Sequence, residues 1–181
     1  MKKLILFTLL FTSLLSCCDK DDNDVNEVLP PATQTGAGTF ACKINGQSFI
    51  DTSGGYFNCF YQLVDGKYFF GIQGNDEDYA NTNTPWSISL GTTKKTISEN
   101  EVLPLLEIID GNTSGGGIFS FSNTDNQSSS TSSQYTGELT ITKLDFTNHI
   151  VSGTFWFNIK HPTTGATVEI REGRFDTLFT Q

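Results

Sequence analysis

Two histidines and four cysteines are all the imidazole and thiol this 181-residue chain has to offer. His149 and His161 fall in or beside predicted turns, Thr147-Asn148-His149 and His161 to Gly165. A solvated imidazole is the ordinary outcome there, and no third ligand stands at short spacing. Cys42 and Cys59 each sit in a predicted strand beside large apolar residues. Without a Cys-x-x-Cys spacing or a nearby histidine they do not read as a metal site. In an exported chain they form a candidate disulfide, worth about 3 kcal/mol through constraint of the unfolded state, with two buried free thiols as the alternative.

Acidic residues are more numerous but no better organised. Asp76-Glu77-Asp78 could offer oxygen ligands to calcium, yet a solvated loop tip accounts for the cluster more simply. Asp19, Asp21 and Asn23 alternate as in a calcium loop, but Asp24 stands where the sharp turn needs glycine and no bidentate Glu follows at the right distance. Gly115-Gly116-Gly117 lacks the Lys and helix of a phosphate-binding loop, and the chain contains no nucleophile elbow or zincin pair. The reading is of a non-enzymatic protein with no catalytic residues, no metal and no cofactor.

Aromatic residues are the remaining route to binding. Trp156 alternates out of phase with Phe155 and Phe157, which places its indole on the opposite face of a strand; packing against a neighbouring strand or loop is the ordinary outcome there, and an exposed flat face of this kind would stack on sugar rings. Trp156 and Trp86 are the candidate ligand-binding residues. A formal net charge of −9, which becomes −11 once Lys2 and Lys3 leave with the leader, repels nucleic acid and gains nothing from anionic lipid.

The elements that would hold these residues are mostly legible in order. Lys2 and Lys3, the short apolar run Leu4 to Leu15 and Ser16 read as a secretory signal over residues 1–16. Leu14-Leu15-Ser16-Cys17 resembles a bacterial lipobox, which implies cleavage before Cys17 and acylation of its thiol; each buried acyl methylene contributes about 0.8 kcal/mol to membrane tethering. The acidic run Asp19 to Asp24 resembles the export signal that follows the lipidated cysteine in surface-exposed lipoproteins of Bacteroidota, with a spacer facing the periplasm as the alternative. Residues 17–38 read as lipidated cysteine and linker; residues 18–38 fully extended would reach at most about 70 Å.

Residues 39–181 read as one all-β domain. Asn45-Gly46 and Asp65-Gly66 mark two tight hairpins near its start. Trp86 to Leu90 alternates as a strand; Ser98 to Glu101 has the form of a capping box, which Pro104 limits to a short helical turn; Leu105 to Ile109 is a further candidate strand. The glycine run 115–117 reads as a flexible turn into a strand, and Ser122 to Gln134 as a polar loop. Leu139/Ile141, Phe155/Phe157/Ile159 and Val168/Ile170 then alternate through a three-stranded meander. The fold class expected is a single antiparallel β-sandwich or partly open barrel, built from hairpins and a C-terminal meander.

Lipobox, acidic tail, the opening Phe40 to Phe49, and the closing Gly153-Thr154-Phe155 with Val168 to Asp176 together resemble the uncharacterised β-rich lipoproteins common in Bacteroidota. That resemblance implies a location at the outer membrane and a fold class, and no activity. The expected function is a lipid-anchored binding or structural module facing the cell exterior, with a glycan or another envelope protein as partner. A lipocalin-like carrier of a small apolar ligand is the alternative, motivated by fifteen phenylalanines. Asp176-Thr177-Leu178 has the form of a short O-glycosylation sequon. Removing the lipidated thiol by Cys17→Ala should shift the protein from the membrane fraction to the soluble one, and continued membrane retention in a fractionation blot would count against the lipobox.

Overall fold

The computed structural model describes residues 28–53, 58–76, 85–122 and 125–181. The leader, Cys17, the acidic run, and Glu77 and Asp78 of the acidic cluster lie outside the described residues. Among the described residues all regular structure is strand: β1 (Thr39–Ile44), β2 (Gln47–Ile50), β3 (Asn58–Val64), β4 (Lys67–Asn75), β5 (Ser87–Thr92), β6 (Val102–Leu105), β7 (Thr113–Ser122), β8 (Asp125–Ser130), β9 (Gly137–Asp145), β10 (Ile150–Lys160) and β11 (Thr167–Leu178).

All eleven strands join one sheet, in the order β2-β1-β11-β10-β9-β6-β7-β5-β4-β3, with β8 added on β7. The sheet curls into a half-barrel, so the all-β expectation holds while a two-layered sandwich does not describe it. Its ladders are antiparallel except where β6 meets β7 in parallel at Leu105 and Thr113. That single step makes the sheet mixed. The edges are drawn together by Tyr61 N–H donating to Thr180 O at 2.8 Å, Thr180 N–H to Cys59 O at 3.0 Å, and Thr52 N–H to Asn75 O at 3.2 Å.

Both hairpin turns form as their sequences require. Asn45-Gly46 adopt φ of 50° and 89°, and Asp65-Gly66 adopt 49° and 71°, the doubly positive pair that matches the twist of the flanking strands. The C-terminal meander also forms, with β10 paired to both β9 and β11. At Ser98 the capping-box contact is present, Ser98 N–H donating to the Glu101 carboxylate at 2.8 Å, but the chain completes only one turn before entering β6. Extended pairing with β9 replaces the helix.

Three stretches differ from the sequence reading: the strand expected over Leu105 to Ile109 is β6, Val102–Leu105, and residues 106–109 form no strand. Gly115 to Gly117 lie within β7 rather than forming a turn, and residues 125–130 of the polar stretch form β8. Packing explains the glycine run: a β-carbon on Gly115 would stand 3.3 Å from the Phe157 ring, and one on Gly117 would stand 3.1 Å from Ile159. Glycine suits the strand there because large side chains from β10 come close, and a β-carbon would press against them. For β8, the backbone supplies what its side chains cannot, six register pairs with β7. Thr131 then closes the gap where β6 stops and β8 starts: its hydroxyl accepts from Gly115 N–H at 3.1 Å and donates to Leu106 O at 2.5 Å.

The same trade between ring and glycine runs through the core. Phe155 lies over Gly173 and Phe175 over Gly153, each a directly paired position on the neighbouring strand. Phe40 lies over Gly74 across the edge that joins β1 to β4. Ring centroids 5.2 Å apart for Phe40–Phe155, 6.4 Å for Phe155–Phe175 and 6.2 Å for Phe70–Phe175 make these rings one contiguous cluster. Each such side chain contributes about 1.5–3 kcal/mol by leaving water. A methyl added at Gly153 would meet Thr140 O at 2.5 Å and the Phe175 ring at 2.6 Å. Gly153→Ala should therefore destabilise by about 1–3 kcal/mol through overpacking, or about 2–4 °C in Tm per kcal/mol, and an unchanged melting curve would contradict this account.

Candidate functional site

The outer face of β9, β10 and β11 carries a shallow groove of about 380 Å³ lined by Ala32, Glu138, Thr140, Thr154, Trp156 and Arg174. Strand alternation explains the composition. Leu139, Ile141, Phe155 and Phe157 point into the core, so their neighbours Glu138, Thr140, Thr154 and Trp156 must point out. Trp156 keeps 40 % of its surface exposed, in agreement with its phase in the sequence.

A bulge in β11 shapes the groove. Phe155 pairs with Gly173 and Phe157 with Ile170, so two residues, Arg171 and Glu172, oppose the single Trp156. The pairing of β1 shifts at the same place, from Ala41–Arg174 to Lys43–Arg171. Glu172 takes φ of 52°, a left-handed conformation unusual for a residue with a β-carbon. Bulges of this kind re-aim side chains. Here the Arg171 guanidinium stands 5.6 Å from the Trp156 ring centroid, in cation–π range.

Neither arginine of the groove region is free. Arg171 donates to Phe157 O, Ile170 O, Asn158 Oδ1 and Glu169 Oε1 at 2.8–3.1 Å. Arg174 donates to Glu172 O through Nε and Nη2 and to Pro30 O through Nη1, with the Glu172 carboxylate 3.8 Å away. The Lys43 ammonium, 2.8 Å from Glu172, holds that carboxyl below its ordinary titration range. By contrast, the side chains of Glu138, Thr140 and Thr154 make no hydrogen bond or ion pair among the described residues. Their polar atoms are available to a ligand.

One wall of the groove belongs to the stretch read as linker. Residues 29–38 run across the domain: Leu29 is buried, Pro30 O accepts from Arg174, and Gln34 Nε2 donates to Thr142 O at 3.1 Å. The fixing point is Asp176, which has no exposed surface. Its Oδ2 accepts from Thr33 Oγ1 at 2.6 Å, Thr35 N at 2.9 Å, Ala37 N at 3.2 Å and Thr35 Oγ1 at 3.3 Å. Its Oδ1 accepts from Gly36 N and Ser152 Oγ, both at 2.8 Å. Loss of water pushes this carboxyl up, but the donors outweigh burial and hold it well below the usual carboxylate range.

The other sequence candidates lie elsewhere. Trp86 immediately precedes β5 and does not line this groove; β9, β6 and β7 separate β5 from the strand of Trp156. Cys42 and Cys59 are free, buried thiols, and burial pushes both well above the usual range. Cys42 lies on β1, which pairs with β2 and β11, and Cys59 on β3, which pairs with β4. His149 packs on Phe179, and His161 Nδ1 accepts from the backbone of Thr163 and Thr164. Thr177 of the sequon form is buried, and its partner Asp176 is committed to the clasp. Sequence reading missed Asp176, Glu138 and Arg171 as site-shaping residues. The one available signal was Thr33-x-Thr35-Gly36-Ala37-Gly38, a run of small residues and glycines that can aim successive N–H groups at an anion.

Residues 107–178 match the model of a domain of unknown function, DUF6252. No curated protein and no solved structure matches the chain. The matched stretch spans β7 to β11 and so holds Glu138, Thr140, Thr154, Trp156, Arg174 and the Asp176 clasp, while Ala32 lies outside it.

The Asp176 carboxyl titrates lower in the fold than in the unfolded chain, where about 3.9 is usual. Its stabilisation is therefore complete above about pH 5 and is lost as pH falls through that unfolded value and beyond. Asp176→Asn should lower stability at pH 7 by about 2–4 kcal/mol and flatten the stability difference between pH 7 and pH 3. Urea unfolding of both proteins at both pH values reads this directly; an equal pH response in the variant would rule the clasp out.

Proposed function

We propose that this chain is a lipid-anchored outer-membrane protein, tethered through Cys17 and facing the cell exterior, whose β domain binds a glycan in the groove beside Trp156. It acts as a binding module rather than as an enzyme. The leader, the lipobox resemblance and the acidic tail support the location. The groove supports the ligand class. A pyranose ring can lay its C–H face on the indole while its hydroxyl edge meets the Glu138 carboxylate and the Thr140 and Thr154 hydroxyls.

The observation that carries this reading is the half-exposed Trp156 held against Arg171 beside polar groups that no protein partner uses. An aromatic side chain left 40 % exposed on a strand, with its neighbours Phe155 and Phe157 buried, keeps apolar surface in water at a cost that a stacked ligand would remove. Interior carriage has less support, because large side chains such as Phe40, Phe70, Phe157, Phe175, Ile72 and Leu139 fill the core.

Affinity electrophoresis of the protein in gels containing polysaccharides tests the reading. Retardation by at least one polysaccharide is expected, and Trp156→Ala should weaken it by roughly tenfold, the scale of an aromatic contact worth up to about 1.5 kcal/mol. Trp86→Ala should leave it unchanged. Unaltered retardation in the folded Trp156→Ala protein would move the binding surface elsewhere.

A further inference from the structure

Resting on the glycan reading, we infer that the groove selects neutral sugars over acidic ones, with Glu138 as the specificity-determining residue. The inference comes from which charges in the groove are already matched. Arg171 lies 3.0 Å from Glu169 and also donates to Phe157 O, Ile170 O and Asn158. Arg174 donates to Glu172 O and Pro30 O and lies 3.8 Å from the Glu172 carboxylate, which Lys43 also holds. A uronate or sulfate entering the groove would therefore compete with the acceptors and carboxylates already placed on both guanidinium groups.

Glu138 is the opposite case. It sits directly across the ladder from Trp156, and such cross-strand partners hold their β-carbons about 4.5–5.5 Å apart. On its other side β6 presents Pro104, which brings no N–H and no charge. The next row across the same strands reads Val102, Thr140, Thr154 and Arg174, and the single cation in it is the one already engaged. Glu138 thus contributes, beside the indole, a carboxylate that no ion pair among the described residues engages. A carboxylate accepts hydrogen bonds from two neighbouring sugar hydroxyls, but it repels an anionic substituent brought to the same place.

The test uses the full chain and two groups of polymers, neutral ones (dextran, mannan, galactan) and acidic ones (polygalacturonate, alginate, chondroitin sulfate), at low and moderate salt. Retardation by a neutral polymer, weakened about tenfold (1.4 kcal/mol) in Trp156→Ala and again about tenfold in Glu138→Gln, is the expected result, with acidic polymers at least about tenfold weaker. Thermal melting of each variant separates loss of binding from loss of fold. Trp156-dependent binding that favours an acidic polymer would overturn the selectivity while leaving the glycan groove in place. Neutral binding undiminished in Glu138→Gln would overturn the role of Glu138. Silence towards every polymer in both groups would overturn the glycan reading itself, and this inference with it.

Discussion

A carboxylate with no exposed surface stays charged only if donors come to it, and Asp176 draws six from two separate parts of the chain. Ser152 comes from the neighbouring strand β10, whereas Thr33, Thr35, Gly36 and Ala37 come from a segment with no strand of its own. Because the backbone N–H groups of three consecutive residues converge on one side chain, the segment's path is set by β11. The outer wall of the groove follows from that path. Ala32 reaches the Trp156 side of the sheet because Pro30 and Thr33 on either side of it are fixed, one to Arg174 and the other to Asp176.

The curl of the sheet rests on a different constraint, the volume of phenylalanine. A ring on one strand and a glycine opposite it let the backbones approach and bend around the core, which alternation of medium-sized residues would not allow. The arrangement also explains where function can reside. With the inner face committed to interlocking rings, polar chemistry is confined to the outer face. The bulge at Glu172 is the point where the outer face departs from a regular ladder.

The sequence was most informative where one residue's local chemistry suffices. Asn45-Gly46 and Asp65-Gly66 specify their turns, and Phe155 to Ile159 specify which side of β10 is buried, so the outward phase of Trp156 was readable in advance. It was least informative where the answer depends on residues far away in the chain. Gly115 to Gly117 look like a turn until Phe157 and Ile159 are placed against them. Residues 125–130 carry no strand propensity, yet β7 supplies a template that needs only their backbone. Asp176 reads as an exposed strand residue or part of a sequon because the donors that bury it lie about 140 positions earlier. Glu138 carries no signal by itself. Its meaning comes from the engagement of Arg171 and Arg174, which is a property of the bulge.

On the proposed anchor, the clasp also limits how far the domain can range. Counted as a free linker, residues 18–38 would let the domain range at most about 70 Å from an acylated Cys17. With residues 29–38 bound to the domain, the reach is bounded by the twelve residue steps from Cys17 to Leu29, at most about 40 Å. The segment that sets this reach also forms a wall of the groove through Ala32. On the proposed anchor, the Trp156 groove is held close to the membrane surface, where a ligand attached to that surface is met at higher effective concentration than one free in solution. The acidic charge of the chain fits that position, since it opposes collapse of the domain onto an anionic leaflet while leaving an uncharged polymer free to enter.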